Sequence, residues 1–185
     1  MKHKLRFYIF VILSAPGVMI HEFSHVVFCL LMNVPIYKVC YFRLGNPAGY
    51  VEHQRPKGFI QAFFISVGPF ILGSILSVIF FWFGIISIKG LINQATTIPL
   101  LPALLSFWFG LSIALNCFPS DGDAKVLLSE TNHHVLQRFN PLAIIVYPFI
   151  LLIKLANYLR KFYFDWIYAI VLLGIAIYIT ISLIK

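Results

Sequence analysis

The run His21-Glu22-Phe23-Ser24-His25 combines side chains that hold first-row metals with one that can move a proton. Residues four apart on a helix lie on one face, so both imidazoles can reach a single ion while Glu22, one residue on, flanks it. Zinc suits such a pair, because it accepts neutral imidazole at about 2.0–2.1 Å and leaves a position for water. A carboxylate beside that water can take its proton while the metal polarises the carbonyl under attack. These five residues therefore predict metal-assisted hydrolysis, with His21 and His25 as ligands and Glu22 as general base. The competing account is two histidines that hydrogen-bond a glutamate in a packed interior without any metal.

A catalytic zinc takes a third protein ligand, and so apolar a chain offers few. The segment Asn116-Cys117-Phe118-Pro119-Ser120-Asp121-Gly122-Asp123 brings two carboxylates together, so Asp121 and Asp123 are the candidates, one of the two being expected. Helix capping is the alternative for either acid, with Ser120 or Asp121 as N-cap and Asp123 in a first turn that favours negative charge. His53 sits among polar neighbours and reads as a solvated residue. His133 and His134 are adjacent and do not share a helix face. Cys29, Cys40 and Cys117 are too scattered for a disulfide framework or a CxxC metal pair, and are expected as free thiols.

The chain that must position these groups has 185 residues, 61% hydrophobic and only 11% charged, with a mean hydropathy of +0.92. Soluble domains carry about a quarter charged residues, so an integral membrane protein is expected. Three ionisable groups within five residues of an apolar helix each cost about 2.5 kcal/mol or more, which a metal site would offset. The net charge of +8 is spread singly over ends and loops, as headgroup anchors are, and forms no nucleic-acid surface.

Membrane elements are predicted over residues 6–32, 58–88, 98–118, 142–158 and 162–184, the first kinked at Pro16. Lys2, Lys4 and Arg6 precede an apolar run with no small-x-small cleavage site, so that segment is expected to remain in the mature protein. Between 33 and 57, β-favouring residues flank the turn chemistry of Gly45-Asn46-Pro47-Ala48-Gly49 and predict a short β-hairpin. Residues 120–140 read as a partly amphipathic helix at a membrane face. The fold class is thus an all-α polytopic membrane protein of about five transmembrane helices, with a hairpin after the first. Basic residues divide evenly between the two sides, so orientation does not follow. Lys154 and Asp165, near the ends of the last two spans, read as snorkelling side chains.

HExxH in a first apolar helix, a hairpin after it, Gly68-Pro69 inside the next helix and Phe118-Pro119-Ser120-Asp121-Gly122 ending a third together resemble the site-2 protease family of intramembrane zinc metalloproteases. The resemblance covers residues 16–123. It implies one zinc ion held by His21, His25 and an aspartate, with Glu22 as the base and membrane-spanning proteins or peptides as substrates in regulated intramembrane proteolysis. Asp121 is slightly favoured over Asp123 because it matches the family's aspartate-glycine. Asn116 resembles an asparagine associated there with holding substrate, although a buried amide satisfied by backbone is the ordinary alternative. The chain departs from the family at Leu72, where a polar Asn is frequent; Ser74 is the nearest polar side chain.

One membrane domain over 1–185 is expected, with a metalloprotease core at 6–123, a surface helix and two further spans at 124–185, in a prokaryotic cell membrane as a multi-pass protein. Two other classes share the ligand set: a membrane metal transporter, and a non-catalytic metal-binding scaffold for membrane proteins.

Overall fold

The structure, a computed structural model, describes residues 2–92, 100–136 and 141–184. In chain order come α1 (Lys2–Leu13), α2 (Ala15–Leu31), strands β1 (Ile36–Cys40) and β2 (Tyr50–His53), then α3 (Phe59–Ile92), α4 (Leu100–Leu115), α5 (Asp121–Leu136), α6 (Pro141–Leu159), a 3-10 turn at Arg160–Phe162 and α7 (Phe164–Ile184). The protein is mostly helical with one small antiparallel sheet, as expected. The predicted start at 98 and end at 140 fall outside the described residues.

Where one kinked helix is predicted over 6–32, two helices meet at Ser14, with Pro16 in the first turn of α2. Proline lacks the N–H that would continue the ladder, and the groups released at the break find partners on α4. The Gly17 N–H donates to Ser112 Oγ at 2.9 Å, and the Leu13 carbonyl accepts the Trp108 indole N–H at 3.0 Å. Gly17 is required by this crossing, because a Cβ there would run into the Ser112 carbonyl.

Helix α3 is the hub, packed against α2, α4, α5 and α7, while α5 also carries α6 and the hairpin lies against α2. Phe59, Val67, Leu127 and Ile150 join α3, α5 and α6; Phe81, Ala114, Ala169, Leu172 and Ala176 join α3, α4 and α7. Strand β1 pairs with β2 from Lys38↔Glu52 to Cys40↔Tyr50, with an irregularity between Ile36 and Lys38. The Asn46-Pro47 peptide bond is cis.

Many interior positions along the helices are small or hydroxylated: Ser66, Ser77, Ser87, Ser106 and Ser112 are buried. Large apolar side chains face outward instead, Ile170 being 67% and Phe83 50% exposed. Two helices, Phe59–Ile92 and Phe164–Leu183, are long and apolar enough to cross a membrane; Ala15–Leu31, Leu100–Leu115 and Ile144–Leu159 are apolar but shorter.

Candidate metal centre

His21 and His25 stand one turn apart on α2, ring centroids 4.9 Å apart. Each Nδ1 meets a backbone carbonyl: His21 reaches Asn116 O at 2.8 Å and His25 reaches Ile65 O at 3.0 Å. A carbonyl only accepts, so each Nδ1 carries a proton, and in the neutral imidazole that ligates a metal each Nε2 then presents its lone pair.

Those two carbonyls are free for a reason written in the chain. Ile65 would bond the N–H of residue 69 in an unbroken helix, and residue 69 is a proline inside α3. Asn116 follows the last residue of α4, where carbonyls have no intrahelical partner.

The Nε2 atoms lie 3.2 Å apart, and Asp123 Oδ2 approaches them at 3.7 Å from His21 and 3.4 Å from His25. Among the described residues these three side chains form one group whose ligand atoms lie within 4.8 Å of one another. With both imidazoles neutral, two lone pairs and a carboxylate are all acceptors, an arrangement that a cation satisfies. A tetrahedral ion with bonds of about 2.0–2.1 Å would set its ligands about 3.3 Å apart, close to the distances found.

Asp123 reaches the imidazoles because of how α5 begins. Ser120 caps the helix: its Oγ accepts the Asp123 N–H at 3.2 Å, while the Ser120 N–H and hydroxyl donate to Asp123 Oδ2 at 2.9 and 2.6 Å. This reciprocal cap fixes Asp123 at the third helical position, facing α2. Burial pushes its carboxyl pKa up, but contacts with His21 and His25 outweigh that and hold it well below the usual carboxylate range. Asp121, the acid slightly favoured from sequence, is exposed and lines a separate cavity with Lys125 and Lys154. The preference is therefore reversed, since at about 100° per residue Asp121 is turned away from the face that Asp123 presents.

Glu22 is buried, at 9% exposure, and stands outside the ligand group. With His21, Asn116 and the hairpin tip Asn46–Gly49 it lines a cavity of about 360 Å³. Gly49 lies so close that a Cβ on it would come within 2.6 Å of Glu22 Cγ. The Asn116 side chain also lines this cavity, but its Nδ2 donates to the Ser112 carbonyl at 2.8 Å. Its main chain, which orients His21, is the part that sequence reasoning missed.

The remaining candidates stand apart. His53 Nδ1 meets Gln54 O at 2.8 Å beside a cavity shared with Arg55 and Glu130. His133 and His134 fall on α5, their side chains outside the described residues. Ser74 turns to Tyr168, whose hydroxyl is 2.6 Å away, and Leu72 is half-buried on α3. The three cysteines are free thiols.

Two further contributions come from the end of the chain. Phe164 and Tyr168 of α7 set their rings 5.7 and 5.0 Å from that of Phe118, just before the cap that holds Asp123. Arg160 lines the same cavity as Glu22. Neither is signalled by local spacing.

Compared with known protein families, with characterised proteins and with solved structures, the chain finds no match in any of the three.

Proposed function

We propose that this chain is a multi-pass membrane zinc endopeptidase of the site-2 protease type, hydrolysing peptide bonds of membrane-embedded substrates. The observation that carries the reading is the convergence of two imidazole lone pairs and Asp123 Oδ2, with the free acid Glu22 beside them over a cavity. The many large aliphatic side chains on the outside of the helices, with serines among the buried positions, support lipid as the surrounding solvent and five helical passages despite the shorter helices.

His21, His25 and Asp123 would hold the metal. When bound there, zinc would supply Lewis acidity for amide hydrolysis. The Asn116 and Ile65 carbonyls keep each imidazole in the tautomer that ligates, the positioning such sites require. Glu22 takes a proton from water in the cavity and returns it to the leaving amine, the role of a general base and then acid. The hairpin tip, which approaches Glu22 closely at Gly49, borders the cavity that an extended segment of substrate would enter.

Glu22→Gln removes the base while leaving the ligand set intact. Purified protein in detergent should contain about one zinc per chain in both forms, while cleavage of susceptible membrane peptides falls at least about a hundredfold in the variant. Metal content and peptide turnover measured on the same preparations decide the matter. Retained cleavage would sink the assignment of Glu22, and a chain that moved zinc across vesicles without hydrolysis would be a transporter.

A further inference from the structure

The turn between α6 and α7 brings a cation to the candidate site. Arg160 is half-buried on the wall of the cavity that His21, Glu22 and Asn116 also line. Its position is fixed from behind, because the 3-10 turn closes on Tyr163 in the left-handed region, at φ 62°, and the Phe164 ring then packs on Phe118.

The other arginines with described side chains are engaged. Arg43 donates from Nε to the Pro47 carbonyl and lies over the Tyr50 ring, and Arg55 donates twice to Glu130 Oε1. Among the described residues no hydrogen bond or ion pair occupies the Arg160 guanidinium, and Glu22 across the cavity makes none with it. A permanently charged, half-buried fork on the wall of this cavity offers parallel donors to an anion that enters it.

We propose that Arg160 binds a carboxylate of the substrate next to the scissile bond, so that the protein selects membrane peptides with an acidic side chain or a free C-terminal carboxylate close to the cut. The inference rests on the proteolytic reading above and adds the substrate class. A carboxylate matches the planar guanidinium with two parallel hydrogen bonds. A phosphate monoester, carrying more negative charge, would be repelled more strongly by Glu22 in the same cavity, whereas a lipid phosphodiester carries the same single charge as a carboxylate and is separated by the experiment.

The test uses the full chain in detergent and leucine-rich membrane peptides carrying Glu, Gln or Lys at successive positions, each with a free or an amidated C-terminus. Binding is read by fluorescence anisotropy in the Glu22→Gln background and turnover with Glu22 present. Arg160→Ala should weaken binding of the carboxylate-bearing peptides about tenfold or more and raise their KM equally, with kcat nearly unchanged and Gln-bearing amides unaffected. Arg160→Lys should fall between, and Arg160→Glu should turn the preference towards Lys-bearing peptides. Loss confined to the Glu series identifies a side-chain carboxylate; loss confined to free C-termini identifies the terminal one.

Absence of any charge preference in the unsubstituted protein, or an Arg160→Ala effect equal for all peptides, overturns the proposal. So does a preference that disappears when phosphatidylglycerol is added to the micelles, which would give Arg160 to lipid phosphate. Charge-selective binding without cleavage would remove the proteolytic reading and keep the carboxylate site. Cleavage without selectivity would do the reverse.

Discussion

A single oxygen of Asp123 serves both the cap of α5 and the two imidazoles. Loss of such a cap costs about 1 kcal/mol, whereas loss of one of three ligands removes most of a metal's affinity. Asp123→Ala should therefore release zinc from a chain that still folds, and Asp121→Ala should retain it in full, as metal analysis of the two purified variants will report. Equal zinc in both would remove Asp123 from the ligand set. At this scale the histidines and Glu22 were legible because helical periodicity alone places residues 21, 22 and 25. The choice of acid was not, since it depends on which residue caps α5, and a shift of one position rotates every following side chain by about 100°.

Helix interruptions orient the imidazoles. Pro69 denies the Ile65 carbonyl its usual partner and so leaves it for His25; the end of α4 does the same for Asn116 and His21. Pro69→Ala restores an N–H that competes for the Ile65 carbonyl. Zinc affinity is then expected to fall about tenfold to a hundredfold, the range for lost supporting hydrogen bonds, while the metal-free protein gains helix stability. Competition with a fluorescent zinc chelator, beside thermal unfolding of the metal-free protein, measures the two opposite signs. A loss of affinity with no gain in stability would point to simple misfolding of α3. The proline was visible in sequence and its position inside a helix was expected. Its beneficiary was not, because the partner sits 40 residues away on another helix. The kink expected at Pro16 falls beside it at Ser14, but the groups that take up the released backbone, Ser112 and Trp108, belong to α4 and carry no local signal.

The last helix lies far along the chain from the histidine pair, yet α7 packs on the turn that leads to Asp123. Tyr168 packs against both Phe118 and Phe70 and places its hydroxyl by Ser74. Tyr168→Ala should lower stability by about 2 kcal/mol or more and weaken zinc binding through the Phe118-Pro119 turn, whereas Tyr168→Phe, which keeps the ring, should cost about 1 kcal/mol or less. Thermal midpoints and zinc titrations of both variants test this, and unchanged zinc affinity in Tyr168→Ala would disconnect α7 from the centre. Helix order was readable from apolar run lengths, apart from the interruption of the first run at Ser14. Which helices touch was not, since an all-apolar surface carries no stripe to name its neighbour. The hub helix also sets a depth. Ile65 follows Phe59, where α3 begins, by six residues, about 9 Å of helical rise against a hydrocarbon layer of about 30 Å. Under the proposed function, a bond cut beside His25 would lie less than two turns from the start of α3, and if that start meets the membrane surface, water could reach the centre without a channel through the middle of the bilayer.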